Sequence, residues 1–512
     1  MRCLVICSLA VILAIQPAAA KLQADENPTA DEPPVVEQQS ADAEADQEVA
    51  ALAEPPRQLT RSELQRQIDF VQRELEELLA RIGDKEPTAS QREKLAGLLG
   101  QLKDLKQQMA EVKEEIDQKI EEKGDSFKSK WLRLRKAAED FTNYDVDDGM
   151  FRIRFGVRFQ VDATAGSESA ALETAVGPIE ENIDFRRLRI FADGRVFRRI
   201  DFKFEWDLAV DNGLKDAYIE GSKWTKFMKW RVGNFKEPYS LARQNSAAHL
   251  NYLEWPAPVQ AIAPGRGWGI MFRHNEAPER LNWGVSFTAG GQTADETETK
   301  SDFTITGRMT GLPVYSGSGR RLVHLGGSYS IRNPNNNTIS FSARPEARFS
   351  PDFIATGDIS ADKGTIWGLE AAAVFGQLWT QFEWLQSDVP SDDLGNLSFE
   401  GSYVEVGYFW TGETRFYETK DGTFGRVTPN RLFKKGNPFT KKGDCGALEF
   451  TARVSALDLN DGLVRGGAMK NYSLGMNWFL SETSQIMLNL IRSDVADVGK
   501  ANLLLLRYQF NP

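Results

Sequence analysis

Cysteine is almost missing from the chain: of three in 512 residues, Cys3 and Cys7 sit at the extreme N-terminus and Cys445 stands alone beyond them. No disulfide can form within the chain past residue 7, so no cross-link supports the fold there. Histidine is equally scarce. His249, His274 and His324 are scattered without metal-ligand spacing, and there is no nucleophile elbow and no phosphate loop. The expectation is therefore a protein that is not an enzyme and carries no metal or cofactor. Long apolar runs are also lacking. After Leu4–Ile15, no stretch approaches the roughly 18 apolar residues that a spanning helix needs. Positive charge is not in excess either: the formal net charge is −11, which argues against nucleic acid as a partner.

What is present divides the chain into regions. Arg2, the short apolar run and Ala18-Ala19-Ala20 before Lys21 have the order of a secretory signal, expected to be removed after Ala20. The mature protein is thus expected to be exported. Residues 21–57 combine acids such as Asp25, Glu26, Asp31 and Glu32 with Pro28, Pro33, Pro34, Pro55 and Pro56, too little apolar surface to repay ordering. This segment is expected to be a disordered acidic linker. Lys21–Lys123 contains 25 acids and 14 bases, so the chain's negative charge belongs to this N-terminal part.

Residues 58–123 carry apolar residues at alternating spacings of three and four: Leu64, Ile68, Val71, Leu75, Leu78 and Ile82, then Leu98, Leu102, Leu105, Met109, Val112 and Ile116. That is a coiled-coil seam, interrupted at Gly83–Ser90, where Ser90 and Glu93 are spaced for a capping box. Both an intermolecular bundle, slightly preferred, and an antiparallel hairpin fit. Residues 124–149 read as a connector.

From about residue 150 the period becomes two. In Arg152–Asp162, RIRFGVRFQVD, the residues Ile153, Phe155, Val157, Phe159 and Val161 fall on one face of a strand, opposite Arg152, Arg154 and Arg158. The same alternation recurs in segments such as Asp201–Val210, Asn282–Ala289, Val323–Ile331, Tyr403–Trp410, Asn471–Leu480 and Leu504–Phe510, roughly sixteen in all. Turn residues such as Asp211-Asn212-Gly213 and Asn460-Asp461-Gly462 separate several of them. A mean hydropathy of −0.42 fits a barrel, whose strands hide their apolar face in alternation. A soluble sandwich also alternates, but its core would have to bury these arginines at high cost. The apolar faces end repeatedly in Trp, Tyr or Phe, as the aromatic girdles of a membrane barrel do. The expected fold is an all-β transmembrane barrel of about 16 antiparallel strands over residues 150–512, preceded by the helical coiled coil.

Several stretches in this region resemble the phosphate-selective porin O and P family of outer-membrane channels. They include RIRFGVRFQVD at 152–162, RRLRIFADGRVFRRIDFKFEWDLA at 186–209, DAYIEG at 216–221, WRVGNFKEPYSL at 230–241, TGETRFY at 411–417, GTFGRVTPNRLF at 422–433, GALEFTARVSALDLNDG at 446–462 and YSLGMNWFLSETSQIMLNLI at 472–491. The resemblance implies a 16-stranded barrel in the outer membrane, assembled as a homotrimer, in which basic residues guide small anions such as phosphate to a constriction. It also implies that the segment between two strands at 236–266 folds inward and narrows the pore. The ending differs from the family's usual terminal aromatic, since Asn511-Pro512 follow Phe510.

Anion selectivity needs fixed positive charge at the narrowest section, and arginine's planar fork suits phosphate. Candidates on the lumen parity are Arg152, Arg154, Arg158, Arg187, Arg189, Arg195, Lys203, Lys229 and Arg231, with Arg243, His249 and Arg266 from the inward segment. For Lys434, Lys435, Lys441 and Lys442 on a second long connection, 413–445, two readings fit: attraction of anions at the mouth, or, slightly preferred, a solvated loop. The expected function is passive diffusion of anions, with the N-terminal segment in the periplasm. Two alternatives are a general porin without selectivity and a structural protein whose coiled coil ties the outer membrane to the cell wall.

Overall fold

The structure, a computed structural model of the 512-residue chain, describes residues 88–122, 143–146, 150–221, 228–274, 280–289, 291–292, 298–299, 301–317 and 319–511, with isolated helical positions between 67 and 78. The signal, the acidic linker and most of the connector lie outside the described residues. The chain divides into two units, Met1–Gly124 and Asp125–Pro512.

In the first unit, helix α1 spans Ala89–Glu122. Its start is a reciprocal cap two residues before the expected one at Ser90 and Glu93. The Thr88 backbone N–H donates to Gln91 Oε1 at 2.9 Å, and the Gln91 N–H donates back to Thr88 Oγ1 at 3.4 Å.

The second unit is a closed antiparallel barrel. Its sixteen strands are β1 (Phe151–Glu168), β2 (Asn182–Val196), β3 (Ile200–Asp207), β4 (Leu214–Gly221), β5 (Met228–Lys236), β6 (Arg266–His274), β7 (Leu281–Ala289), β8 (Ser301–Ser316), β9 (Arg321–Pro334), β10 (Gly364–Phe375), β11 (Leu378–Ser391), β12 (Gly395–Phe409), β13 (Ala447–Asp461), β14 (Val464–Phe479), β15 (Ser484–Val495) and β16 (Gly499–Phe510). Each pairs with the next, and β1 pairs with β16 from Phe159↔Phe510 to Glu168↔Ala501, which closes the cylinder. The first eight residues of β1 run beyond that seam, and the short strand Asn143–Val146 pairs there with Phe151–Arg154. Closure of β1 on β16 leaves the sheet no terminal strand, as hydrocarbon requires.

The outward residues are apolar and exposed on every side, among them Phe155, Val157, Phe204, Trp206, Trp268, Trp367, Leu369, Phe382, Val404, Leu474 and Leu504. No described helix is long and apolar enough to cross a membrane, and the strands do so instead.

Strand β2 departs from simple alternation. A bulge opposite Gln160/Val161 makes Arg186 an extra residue of β2 in the register with β1, and the outward parity switches from Ile183 and Phe185 to Ile190. Arg186 and Arg187 are adjacent in sequence, yet both are fully buried on the lumen side.

Candidate functional site

Three connections occupy the lumen. The first, 237–265, leaves β5, forms the short helices α2 (Leu241–Gln244) and α3 (Ala257–Ile262), and returns to β6. Nearly all its side chains are buried. It reaches the far wall at many points. Glu383 on β11 accepts the N–H groups of Leu241 (3.0 Å) and Ala242 (2.8 Å), and Asn489 on β15 accepts that of Leu253 at 2.8 Å. Asn477 donates to the Asn251 carbonyl at 2.9 Å, Gln509 to that of Ala248 at 2.8 Å and Gln160 to that of Ala247 at 3.2 Å. Such carboxylate and amide acceptors and amide donors satisfy a backbone that forms no sheet, which a buried loop needs.

The second connection, 335–363, packs apolar residues against the first. Phe341, Phe353, Ile354 and Ile359 join Trp255, Val259 and Ile262 in one buried cluster. The wall contributes Leu385, Phe399, Leu457, Ile491, Leu503 and Leu505 to the same cluster. The lumen is therefore not polar throughout. Toward the ends of β11–β16 nearest the 335–363 connection, the inner wall is apolar and covered like a soluble core. Toward the other ends it is polar, with Gln381, Glu405, Glu449, Asn477 and Gln509.

The third connection, 410–446, enters from the opposite end. Its hairpin Tyr417–Glu418 with Thr423–Phe424 meets the first segment where the Phe424 N–H donates to Asn245 Oδ1 at 2.9 Å. The wall holds it through Arg273–Asp421 (2.6 Å), Arg308 to the Gly422 carbonyl (3.1 Å) and His324 Nδ1 to Tyr417 Oη (2.6 Å).

Most lumen cations carry a carboxylate. Arg186 grips Glu254 through Nε (2.5 Å) and NH2 (3.0 Å), and Arg507 bridges Asp162 and Glu254 at 2.6 and 3.3 Å. Arg189 meets Glu205 at 2.7 Å and Asp207 at 2.8 Å, Arg266 meets Asp216 at 2.9 Å, Lys203 meets Asp216 at 2.5 Å, and Arg308 meets Glu370 at 2.6 Å. Arg453 pairs with Glu346.

Several described cations differ, three of them beside the crossing segment or the third connection. Arg187 donates to the Gln160 amide oxygen at 2.7 Å and lies over the Trp255 ring at 5.3 Å, while its Nε and NH2 find no acceptor. Lys236 donates to the carbonyls of Arg243 and Asn245 at 2.9 and 2.8 Å. Arg415, on the third connection, lies over the rings of Trp379 (3.9 Å) and Phe424 (3.7 Å), and burial lowers its guanidinium to about 10. It stays charged at neutral pH. Arg243 shares the Trp255 ring with Arg187, at 4.6 Å, and donates to the Pro264 carbonyl at 3.3 Å.

The sequence candidates thus separate. Arg158, Arg187, Arg189, Arg243 and Arg266 gather around the crossing segment. Arg158 sits opposite Arg189 in register, with Glu205 between them at 3.9 and 2.7 Å, and donates to Asn511 Oδ1 at 2.7 Å. Arg152 and Arg154 lie on the part of β1 beyond the seam, where Arg154 is half-exposed and bound to Asp193 at 2.8 Å. Arg195 likewise pairs with Asp201 at 2.5 Å. Lys229 and Arg231 belong to β5, Lys229 near the strand's start and Arg231 on Glu220 at 2.6 Å. His249 is half-buried in the first segment; desolvation and the nearby Arg426 and Arg158 push its imidazole down to about 3, so it stays neutral. Of the lysines of the third connection, Lys434, Lys435 and Lys441 are exposed. Lys441 packs on Trp410 at 4.5 Å, and Trp410 continues the outward parity of Val404, Val406 and Tyr408, away from the lumen.

Sequence reading missed Lys236, Arg415, Arg308, Arg453 and Arg507. Arg186 had a signal: two adjacent arginines cannot both obey a period of two beside lipid, so one implies a bulge.

A closed barrel of sixteen strands, apolar outside and crossed inside by a charged segment, defines an outer-membrane channel. The family model described as phosphate-selective porin O and P matches residues 153–511, and the chain belongs to that family. It is similar to Porin O of Pseudomonas aeruginosa, 21% identical over 69% of this chain and 86% of that protein. An uncharacterized protein of Caulobacter vibrioides is 26% identical, over 67% of this chain and 68% of its own length. Among solved structures, an anion-selective porin from Comamonas acidovorans aligns with a TM-score of 0.42 at 12% identity, covering 70% of this chain and 99% of that one.

Proposed function

We propose that this porin passes small anions, and that phosphate is the anion its side chains suit best. The observation that carries the reading is the group Arg187, Lys236 and Arg415, none of which meets a carboxylate among the described contacts. Two buried N–H groups of Arg187 have no acceptor, a cost of roughly 1–3 kcal/mol each that a passing oxyanion would recover. A planar guanidinium offers paired donors to phosphate oxygens. Arg152, Arg154, Arg158, Arg189, Lys229, Arg231, Arg243 and Arg266 complete the lumen charge in this proposal, the first two at the rim. The segments filling the lumen favour a narrow pore over a general one.

The test is phosphate added to a chloride current through the protein in a planar bilayer. Saturable inhibition is expected, and a current indifferent to phosphate overturns the phosphate preference. The competing reading is a structural anchor, favoured by the apolar core that fills part of the barrel. A protein that folds, inserts and conducts nothing would establish it.

The end with mostly short turns and the chain terminus is proposed to face the periplasm, together with the N-terminal segment, after removal of residues 1–20. In that segment residues 21–57 are the linker and residues 58–123 the coiled coil, a candidate contact with the cell wall. Burial of Ile68, Val71 and Leu98 within one chain supports the hairpin arrangement. A homotrimer is proposed, with the β3–β7 wall as the subunit contact. Strands of eight or nine residues there, tilted ~40°, rise only about 20 Å, short of the ~25 Å apolar band. A neighbouring subunit would cover that deficit. Cross-linking of the purified protein into species larger than a trimer, or into none, would contradict this assembly.

A further inference from the structure

The outer half of the third connection leaves the lumen and folds against the outside of the barrel. Residues 431–444 form a hairpin, with Lys435–Asn437 paired to Lys442–Asp444. Two outward-facing tryptophans hold it. Trp410 Nε1 donates to the Phe439 carbonyl at 3.0 Å and its ring carries Lys441, while Phe433 packs edge-on against Trp478 at 5.0 Å. The Phe433 N–H also donates to the Leu480 carbonyl at 2.8 Å. Leu448, between the two tryptophans on the outward face, is 1% exposed, whereas Phe450 on the same face is 39% exposed. That stretch of outer wall is already covered.

The hairpin's free surface has an unusual composition for a loop. Leu432 and Phe439 are about half-exposed, and Arg431, Lys434, Lys435 and Lys441 are exposed beside them. From Arg431 to Asp444 the sequence has five bases and one acid, and that acid, Asp444, is 3.4 Å from Lys434. Tryptophans facing lipid near strand ends mark the interfacial belt of a membrane barrel. Apolar side chains with lysines beside them, seated on such tryptophans, meet acyl chains and headgroups at once.

We propose that hairpin 431–444 is an interfacial clamp that binds anionic phospholipid headgroups in the leaflet on the chain-terminus side of the barrel. Leu432 and Phe439 enter the acyl boundary, and the lysines meet headgroup phosphates. The charge complementarity and the continuity with the Trp410–Trp478 belt select lipid as the occupant. The inference needs only the barrel's seat in the membrane, not its anion selectivity.

The test compares the full-length protein with a Lys434→Gln, Lys435→Gln, Lys441→Gln variant, in neutral detergent with added phosphatidylglycerol or phosphatidylcholine, and in bilayers. A lysine near an anionic surface changes affinity by about fivefold. The triple variant should therefore lose phosphatidylglycerol binding at least tenfold, read as lost thermal stabilisation and lost adducts in native mass spectrometry. Phosphatidylcholine binding and the bilayer reversal potential should be unchanged. Any of three results overturns the proposal: equal phosphatidylglycerol binding by both proteins, equal stabilisation of the parent by free inorganic phosphate, or dissociation of the oligomer with lipid binding intact. A Phe439→Ser variant, with every lysine retained, should weaken retention of phosphatidylglycerol with long acyl chains more than of its short-chain analogue; equal effects on both also overturn it.

Discussion

Arg186 on the wall and Glu254 on the crossing segment are joined by two hydrogen bonds, at 2.5 and 3.0 Å, and both are buried. Arg507 reaches the same carboxylate from β16. Glu254 thus ties the tip of the segment to two strands beside the barrel seam. Glu254→Gln should leave two buried guanidinium groups short of charge, with a cost of roughly 3–5 kcal/mol for a broken buried pair. We expect easier heat denaturation on gels and noisier, larger single-channel currents. Unchanged stability and conductance would show that the tie does not hold the segment.

Arg187 and Arg154 provide a contrast. Arg187 stands at the crossing segment with two unsatisfied N–H groups, whereas Arg154 is half-exposed beyond the seam and neutralised by Asp193. Arg187→Gln should weaken anion preference markedly, and Arg154→Gln should do so little. An exposed pair of the latter kind is worth only ~0–1 kcal/mol. Reversal potentials of the two variants decide the matter, and the opposite ranking would place the selective charge at the rim.

The third connection narrows the lumen from its own end, and Tyr417 and Asp421 hold it to His324 and Arg273. Shortening it by removing residues 414–425 should raise conductance while the barrel still inserts. Conductance equal to the parent's would show that the first segment alone sets the limit.

His249 supplies a pH dependence whose sign is fixed. Its folded-state value is held near 3 against an ordinary 6.5, so the unfolded chain binds a proton below pH 6.5 that the folded chain refuses. The resulting penalty is absent above pH 6.5 and grows as pH falls toward 3. His249→Gln should therefore resist heat better than the parent at pH 4–5 and no better at pH 8. Parallel pH profiles would show that the imidazole is solvated and chargeable.

The barrel was legible because lipid outside and water inside impose a period of two, which Ile153–Val161 and Tyr472–Leu480 display without ambiguity. The turns at Asp211–Gly213 and Asn460–Gly462 were legible for the same local reason. The inward course of 236–266 came from family resemblance, not from the residues. What alternation cannot report is which lumen charges neutralise one another, since Arg189 and Glu205, or Arg507 and Asp162, meet only through strand register. Nor can it report that Leu503 and Leu505 face a packed core, because an inward apolar residue is covered only by segments distant in sequence. For the lysines at 434–441, composition left a mouth and a solvated loop both open. The outward anchors Trp410 and Trp478, visible only in three dimensions, place them on the outer wall.

The most direct test of the account is the zero-current potential of the reconstituted protein in a KCl gradient. The proposed Arg187, Lys236 and Arg415 group requires a potential of the sign set by chloride, moving toward zero in Arg187→Gln. A potential of the sign set by potassium would contradict it.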